Sequence, residues 1–204
     1  MKIDVLPIGL YGENSYVLHD HDHVLFIDPG RYAGAIAEKV SDKETVDAVV
    51  LTHGHEDHVG AVDDLCDHYH VPCYIHPLDK DLIDPRLQTG AYKMPVYHTP
   101  SFLTEGHMTI GTFDLTIHHT PGHTKGSVLI QYRNVLFTGD TLFAGDIGRT
   151  DLFGGSEEDM TASLKYISTL SDDLKVLPGH GPDSTIGQEK KTNAYLVMGT
   201  ASLY

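Results

Sequence analysis

Thr52-His53-Gly54-His55-Glu56-Asp57-His58 stands directly after the apolar run Val49-Val50-Leu51 and directly before a helix expected to begin near Val59. In an extended chain, residues two apart point to the same side, so His53 and His55 can approach one cation together. Asp57 and His58 fall at the turn into the helix, face another direction and can hold a second cation. Imidazole and carboxylate donors suit zinc, iron and manganese alike.

Further donors lie outward from this stretch: His123 in Thr120-Pro121-Gly122-His123-Thr124, Asp140 in Thr138-Gly139-Asp140-Thr141, and His180 in Pro178-Gly179-His180-Gly181. Each follows an apolar run and sits in a glycine-containing turn, and glycine lets backbone pass close to a site. One such residue alone reads as a polar turn residue. Several metal-type residues at strand ends, where α/β proteins place their sites, read as a metal centre.

Short apolar runs rich in β-branched residues predict strands at Tyr16–Leu18, Val24–Ile27, Val46–Leu51, Leu115–Ile117, Val128–Ile130, Val135–Phe137 and Lys175–Leu177. Helical spacing joins Val62, Leu65, Cys66 and Tyr69, and again Met160, Leu164 and Ile167, where Ser156 and Asp159 resemble a capping box. Strands interleaved with helices indicate the α/β class. Val24-Leu25-Phe26-Ile27-Asp28 echoes Val135-Leu136-Phe137-Thr138-Gly139-Asp140, and Leu51-Thr52-His53-Gly54-His55 echoes Leu177-Pro178-Gly179-His180-Gly181. Two similar halves are therefore expected, with strand ends meeting at one site. Residues Pro77–Gly111 show no sustained period and read as one long excursion of the kind that is often functional.

A chain of 204 residues, 40% of them hydrophobic, suffices for one well-buried core, so a single domain over residues 1–204 is expected. No run approaches the roughly 20 apolar residues of a membrane span, and Met1-Lys2-Ile3-Asp4-Val5 lacks a secretory pattern; a cytoplasmic protein without a membrane partner is expected. Cys66 and Cys73 adjoin apolar segments and read as reduced core residues. A formal charge of −15 repels phosphate backbones and anionic membrane surfaces, so no nucleic-acid partner is expected.

On these motifs the chain resembles, along nearly its full length, the metallo-β-lactamase superfamily and, within it, the short type II glyoxalase (hydroxyacylglutathione hydrolase) group. The resemblance implies an αββα sandwich with the site at strand ends between the two halves. It implies that His53, His55 and His123 bind one metal, that Asp57, His58 and His180 bind another, and that Asp140 bridges them. An aspartate at the bridging position resembles glyoxalases and lactonases, and Gly148-Arg149-Thr150-Asp151 resembles the short glyoxalase-like group. The implied cofactors are two divalent ions, zinc first, iron or manganese next. The implied reaction is hydrolysis of a small acyl thioester such as lactoylglutathione by metal-bound hydroxide, with Asp57 orienting the nucleophile. Full-length type II glyoxalases carry a helical, glutathione-gripping unit after the last ligand; here a short tail follows His180, so glutathione is expected to bind weakly. Alternatives are a persulfide dioxygenase with one iron, a lactone or phosphodiester hydrolase, and metal binding without turnover.

Asp28, in Ile27-Asp28-Pro29-Gly30, reads either as a turn residue or as an acceptor for a ligating imidazole N–H, and the resemblance favours the acceptor. The chain has 15 histidines, and most fall outside the site. His19-Asp20-His21-Asp22-His23 reads as a loose, solvated hairpin turn. His68, His70, His76, His98, His107, His118 and His119 read as solvent-facing or satisfied by ordinary hydrogen bonds. Arg149 reads either as a salt-bridge partner or as a residue facing an anionic substrate, with the salt bridge favoured, and Tyr11 and Asn14 read either as core or turn residues or, by the resemblance, as part of a first loop that borders the cleft.

Overall fold

The structure, a computed structural model, describes residues 1–87 and 94–201. Strands β1 (Lys2–Ile8), β2 (Glu13–Asp20), β3 (His23–Ile27), β4 (Thr45–Val50), β5 (Cys73–Ile75) and β6 (Ser101–Phe102) form one sheet in that order. Strands β7 (Gly106–Ile110), β8 (Phe113–His119), β9 (Val128–Tyr132), β10 (Val135–Gly139), β11 (Lys175–Pro178) and β12 (Ser184–Thr185) form the other, in the order β12-β11-β10-β9-β8-β7. Helices α1 (Ala33–Ala37), α2 (Glu56–Val59) and α3 (Val62–Tyr69) follow strands of the first sheet. A 3-10 turn (Pro77–Asp79) leads into α4 (Lys80–Ile83), and α5 (Glu157–Ile167), α6 (Ile186–Thr192) and α7 (Ala194–Ala201) belong to the second half.

Strand alternation explains the layers. In β3, Val24 and Phe26 join Val62, Leu65 and Cys66 of α3 in one apolar cluster. Leu25 and Ile27 face the other way and meet Ile130, Val135 and Phe137 between the sheets. Leu129, Leu136 and Val176 point outward from the second sheet to Met160, Leu164 and Ile167 of α5. Period-2 strands covered on both faces give the αββα sandwich. Tyr16 and Phe137 close the inter-sheet layer edge to face, ring centroids 5.2 Å apart. Ser156 caps α5 as expected, its Oγ accepting the Asp159 N–H at 3.1 Å. The echo between halves is structural: β3 pairs antiparallel with β2 and parallel with β4, and β10 pairs antiparallel with β9 and parallel with β11. Among the described residues no helix is long and apolar enough to cross a membrane.

Three sequence expectations need correction. The Pro77–Gly111 excursion is not one long loop: it contains the 3-10 turn, α4, β6 and β7, and β7 pairs with β8. Its alternation was obscured because β7 is a sheet edge with only Met108 and Ile110 apolar. The helix after Leu51 starts at Glu56 rather than near Val59, breaks at Gly60 and resumes at Val62. The His19–His23 stretch is not loose either. Its two-residue turn puts His21 and Asp22 at φ 47° and 62°, the left-handed pair of a tight hairpin. Asp20 is buried and accepts from the Tyr132 hydroxyl at 2.6 Å, from Arg133 and from the chain's amino terminus at 3.0 Å. His19 lies between Glu44 and Asp4. Elsewhere, His118 reaches Tyr166 and Gln131, and His119 stacks on His76.

Asp20→Ala is therefore expected to cost about 1–3 kcal/mol, because the buried Tyr132 hydroxyl loses its acceptor. Urea unfolding at matched metal content measures it; an unchanged midpoint would make Asp20 structurally idle.

Candidate metal centre

The strand ends deliver the donors to one place. The chain leaving β4 stays extended to His55, whose φ and ψ are −73° and 151°, before α2 begins. His53 and His55 consequently project together and meet His123 from the loop after β8, all three donor atoms lying within 4.8 Å of one another. Asp57 and His58, in the first turn of α2, meet His180 from the loop after β11 within the same limit. Asp140, just past β10, sits between the sets. Its Oδ2 is 3.5 Å from His123 Nε2 and from His180 Nε2, and its Oδ1 is 3.4 Å from His58 Nε2. The structure thus brings together every candidate ligand expected from the sequence.

Hydrogen bonds at the far side of each ring decide which nitrogen faces inward. His123 Nδ1 is 2.8 Å from the Arg149 carbonyl, and His180 Nδ1 is 3.3 Å from the Tyr11 carbonyl. A carbonyl only accepts, so each Nδ1 carries a proton and Nε2 is the nitrogen left to face a cation. His58 Nδ1 donates to Asp28 at 3.1 Å in the same way. The Thr52 hydroxyl donates to Asp28 at 2.5 Å and lies 3.1 Å from His53 Nδ1, fixing that ring too. His55 is turned differently: its Nδ1 faces His123 Nε2 at 2.7 Å. Asp28 thus accepts from the imidazole of His58, a candidate ligand, and is held at φ 49° in a turn where a non-glycine residue is strained.

The unsatisfied atoms fit metal ions. Among the buried polar atoms, His53 Nε2, His58 Nε2 and Asp140 Oδ1 have no hydrogen-bond partner, and each belongs to a candidate ligand. Buried polar groups without partners are rare, and ligation by a cation removes the cost. Two glycines shape the cradle. A Cβ on Gly179 would lie 2.1 Å from Asp140 Oδ1 and 2.8 Å from His58 Cε1. Gly139, at φ 47°, would press a Cβ to 2.2 Å from the Thr52 hydroxyl. Without ions the two donor sets carry different charge. Burial, with His58 beside it, holds His53 well below the ordinary histidine range, and burial with His123 nearby takes His55 down to about 4. Burial opposes protonation of His58 and His180 as well, but the carboxylates win. Asp140 and Asp28 push His58 well up, and hydrogen bonds to Asp140 and Asp57 push His180 up to about 10.

The sequence profile of the metallo-beta-lactamase superfamily matches residues 8–180, a span that takes in every candidate ligand. The chain belongs to this superfamily. It is 34% identical to hydroxyacylglutathione hydrolase GloC of Haemophilus influenzae, over 96% of this chain and 98% of that protein. The crystal structure of BLEG-1 B3 metallo-beta-lactamase superposes with a TM-score of 0.88 at 39% identity, covering 96% of this chain and 99% of the other. That of TTHA1623 in a di-iron-bound form gives 0.81 at 34%, covering 94% and 99%. Metallo-hydrolase chemistry with divalent metals is the shared ground.

The site opens into a cleft of about 980 Å³ with an apolar wall that includes Leu82, Leu87, Met94, Phe143 and Phe153. Leu82, Leu87 and Met94 come from the Pro77–Gly111 segment, which therefore supplies part of the cleft wall. Arg149 lines the mouth, exposed and paired with Asp151 at 2.7 and 2.8 Å. Asn14 turns inward, donating its amide to the carbonyls of Pro178 and Gly181. Sequence reasoning passed over Glu13, which is fully buried with both carboxylate oxygens unpartnered. Burial, with Asp57 nearby, pushes its pKa up. It also passed over Asp79, buried behind the first donor set. Neither belongs to a local motif, and their polar neighbours, Asn14 and Ser15 beside Glu13 and Lys80 and Asp81 beside Asp79, give no sign of burial.

At pH 7 the ion-free protein holds protons on His58 and His180 but not on His53 and His55. A cation entering the His58–His180 set must expel protons, so its affinity is expected to keep rising with pH up to about 10, while His53 and His55, already unprotonated well above about 4, add no such dependence at neutral pH. Calorimetric zinc titrations in buffers of different ionisation enthalpy read the proton count for each ion. Equal release for both ions would contradict these protonation states.

Proposed function

We propose that this metal-dependent hydrolase is a two-metal enzyme that cleaves small acyl thioesters, hydroxyacyl thiol adducts such as lactoylglutathione foremost. The observation that carries the reading is the complete second donor set, Asp57, His58 and His180, beside the first, with Asp140 between them. A persulfide dioxygenase with a single iron would leave that second set without a task. Two divalent ions, zinc foremost, would supply Lewis acidity and lower the pKa of water from about 15.7 to about 7.

The chain's own residues do the rest. Asp57 lines the cleft and stands 3.2 Å from His180 Nε2, placed to orient the attacking water. A leaving thiol with a pKa of about 8.5 departs as thiolate without a dedicated acid. The apolar wall binds the uncharged part of the substrate and excludes water around the reacting carbonyl. Among the described lining residues Arg149 is the one arginine or lysine, and Asp151 already occupies it. The carboxylates of glutathione therefore find little to hold them, which supports weak binding of that carrier. No nucleic-acid or membrane partner belongs to this reading, and the unbridged Cys66 and Cys73 support a reducing cytoplasm.

The likeness to a B3 β-lactamase makes lactam hydrolysis the competing reading. A panel on metal-loaded protein separates them: lactoylglutathione, a lactoyl ester of a small neutral thiol, a lactone, a phosphodiester and a β-lactam, with oxygen uptake on glutathione persulfide alongside. Thioester turnover is expected, with a lactoylglutathione KM near the upper end of the usual ~1 μM to 1 mM range and the neutral thioester competing well. Asp140→Ala should lower both metal content and kcat, the latter by about 100-fold or more. Preference for the lactam, oxygen consumption, or a fully loaded and fully active Asp140→Ala variant would overturn the proposal.

A further inference from the structure

Asp79 ends the 3-10 turn of residues 77–79, outside the donor sets, and its side chain is wholly buried. Oδ2 accepts the Gly54 N–H at 3.0 Å and the Thr124 hydroxyl at 2.6 Å, and Oδ1 accepts the Gly126 N–H at 2.6 Å. Gly54 separates His53 from His55, and Thr124 follows His123. One carboxylate therefore grips the two loops that carry the first donor set, one from each sheet. No ion pair to Asp79 is present among the described residues, so its hydrogen bonds alone satisfy it.

The backbone is moulded around this residue. A Cβ on Gly126 would lie 2.7 Å from the Asp79 carboxylate, and one on Gly54 would lie 3.2 Å from its carbonyl oxygen and 2.8 Å from Leu82 Cβ. Thr124 is held from a second side, its hydroxyl 2.7 Å from that of Ser127 and its carbonyl accepting the Gly122 N–H at 3.0 Å. The turn around His123 has little freedom except to move with Asp79. Asp79 makes no such tie to the second donor set, whose His58 is held instead by Asp28. Asp57 and His58 ride on α2, and His180 follows β11; no hydrogen bond links Asp79 to any of them among the described residues.

We propose that Asp79 is the positioning residue of the first metal site, setting the spacing of His55 and His123 and hence the affinity of the His53–His55–His123 set, independently of the Asp57–His58–His180 set. This rests on the reading that both sets hold ions. A carboxylate behind the ligands can matter at this level: outer groups that orient ligands change metal affinity by about 10–100-fold. The same turn leads into α4, whose Leu82 lines the cleft, so the substrate wall and the first donor set share one support.

The test is a zinc and cobalt(II) titration of the ion-free full-length protein, with a chromophoric chelator as competitor. His53→Ala identifies the binding step and the cobalt absorption bands that belong to the first set. Asp79→Asn keeps the shape but sets an amide N–H₂ against donors, and is expected to weaken that step by about 10–100-fold and shift those bands, leaving the other step within about twofold. Thr124→Val, a milder change that removes one of the three bonds to Asp79 together with the hydroxyl contact to Ser127, should weaken the same step several-fold, and Thr124→Ser should restore it. Thr124→Val carries the test if Asp79→Asn does not fold. Equal weakening of both steps in either variant would make Asp79 a general fold support and overturn the proposal, as would unchanged binding in both. Wild-type protein that takes up no ion would instead sink the metal reading itself.

Discussion

The centre depends on the carboxylate of Asp28. It accepts from the Thr52 N–H at 2.7 Å, from the Thr52 hydroxyl at 2.5 Å and from His58 Nδ1 at 3.1 Å. The end of β3, the end of β4 and the first turn of α2 are thereby fixed to one another. Through the Thr52 hydroxyl the same charge reaches the ring of His53. Each of these bonds involves a buried charged acceptor, the kind worth most in a low-dielectric interior. The left-handed backbone of Asp28 is tolerated because so many partners determine it. With Asp28 in place, His53 and His58 have no freedom to swap nitrogens, and each turns Nε2 away from this support.

The electrostatics show why such a place suits cations. Imidazoles and carboxylates are packed where most of them lose contact with water, and Glu13 adds a further buried carboxylate. Protons on His58 and His180 compensate part of that negative charge in the ion-free chain. Divalent ions do so more completely, because they engage several lone pairs at once. The cluster is therefore arranged for occupants it does not itself provide, and the overall charge of −15 favours their approach.

How much of this could be read in advance varied with the length of the signal. The buried strands were legible because runs such as Val24–Ile27 and Val135–Phe137 are apolar on both faces, as strands between two covering layers must be. β1 and β7 were not, since they are sheet edges with one wet face and polar residues such as Asp4 and Thr109. The candidate ligands were legible because chemistry confines them to strand ends with glycine nearby. Their supports were harder to see. Asp28 stood in a recognisable turn, but Asp79 and Glu13 act on residues far away in sequence, and only folding shows what their carboxylates meet. The His19–His23 turn misled for the opposite reason: a polar cluster looked wet, yet Asp20 is buried by partners from β9 and the amino terminus.

The duplicated layout carries one more consequence. His53, His55, Asp57 and His58 come from the first half of the chain, and His123, Asp140 and His180 from the second, so neither the His53–His55–His123 set nor the Asp57–His58–His180 set is complete within one half. Each ion held there would be a rivet between the sheets, present only in the folded protein and adding to its stability by mass action. Scarcity of metal would then shorten the protein's survival against proteases as well as silence it, tying its abundance in the cell to the supply of the ion it uses.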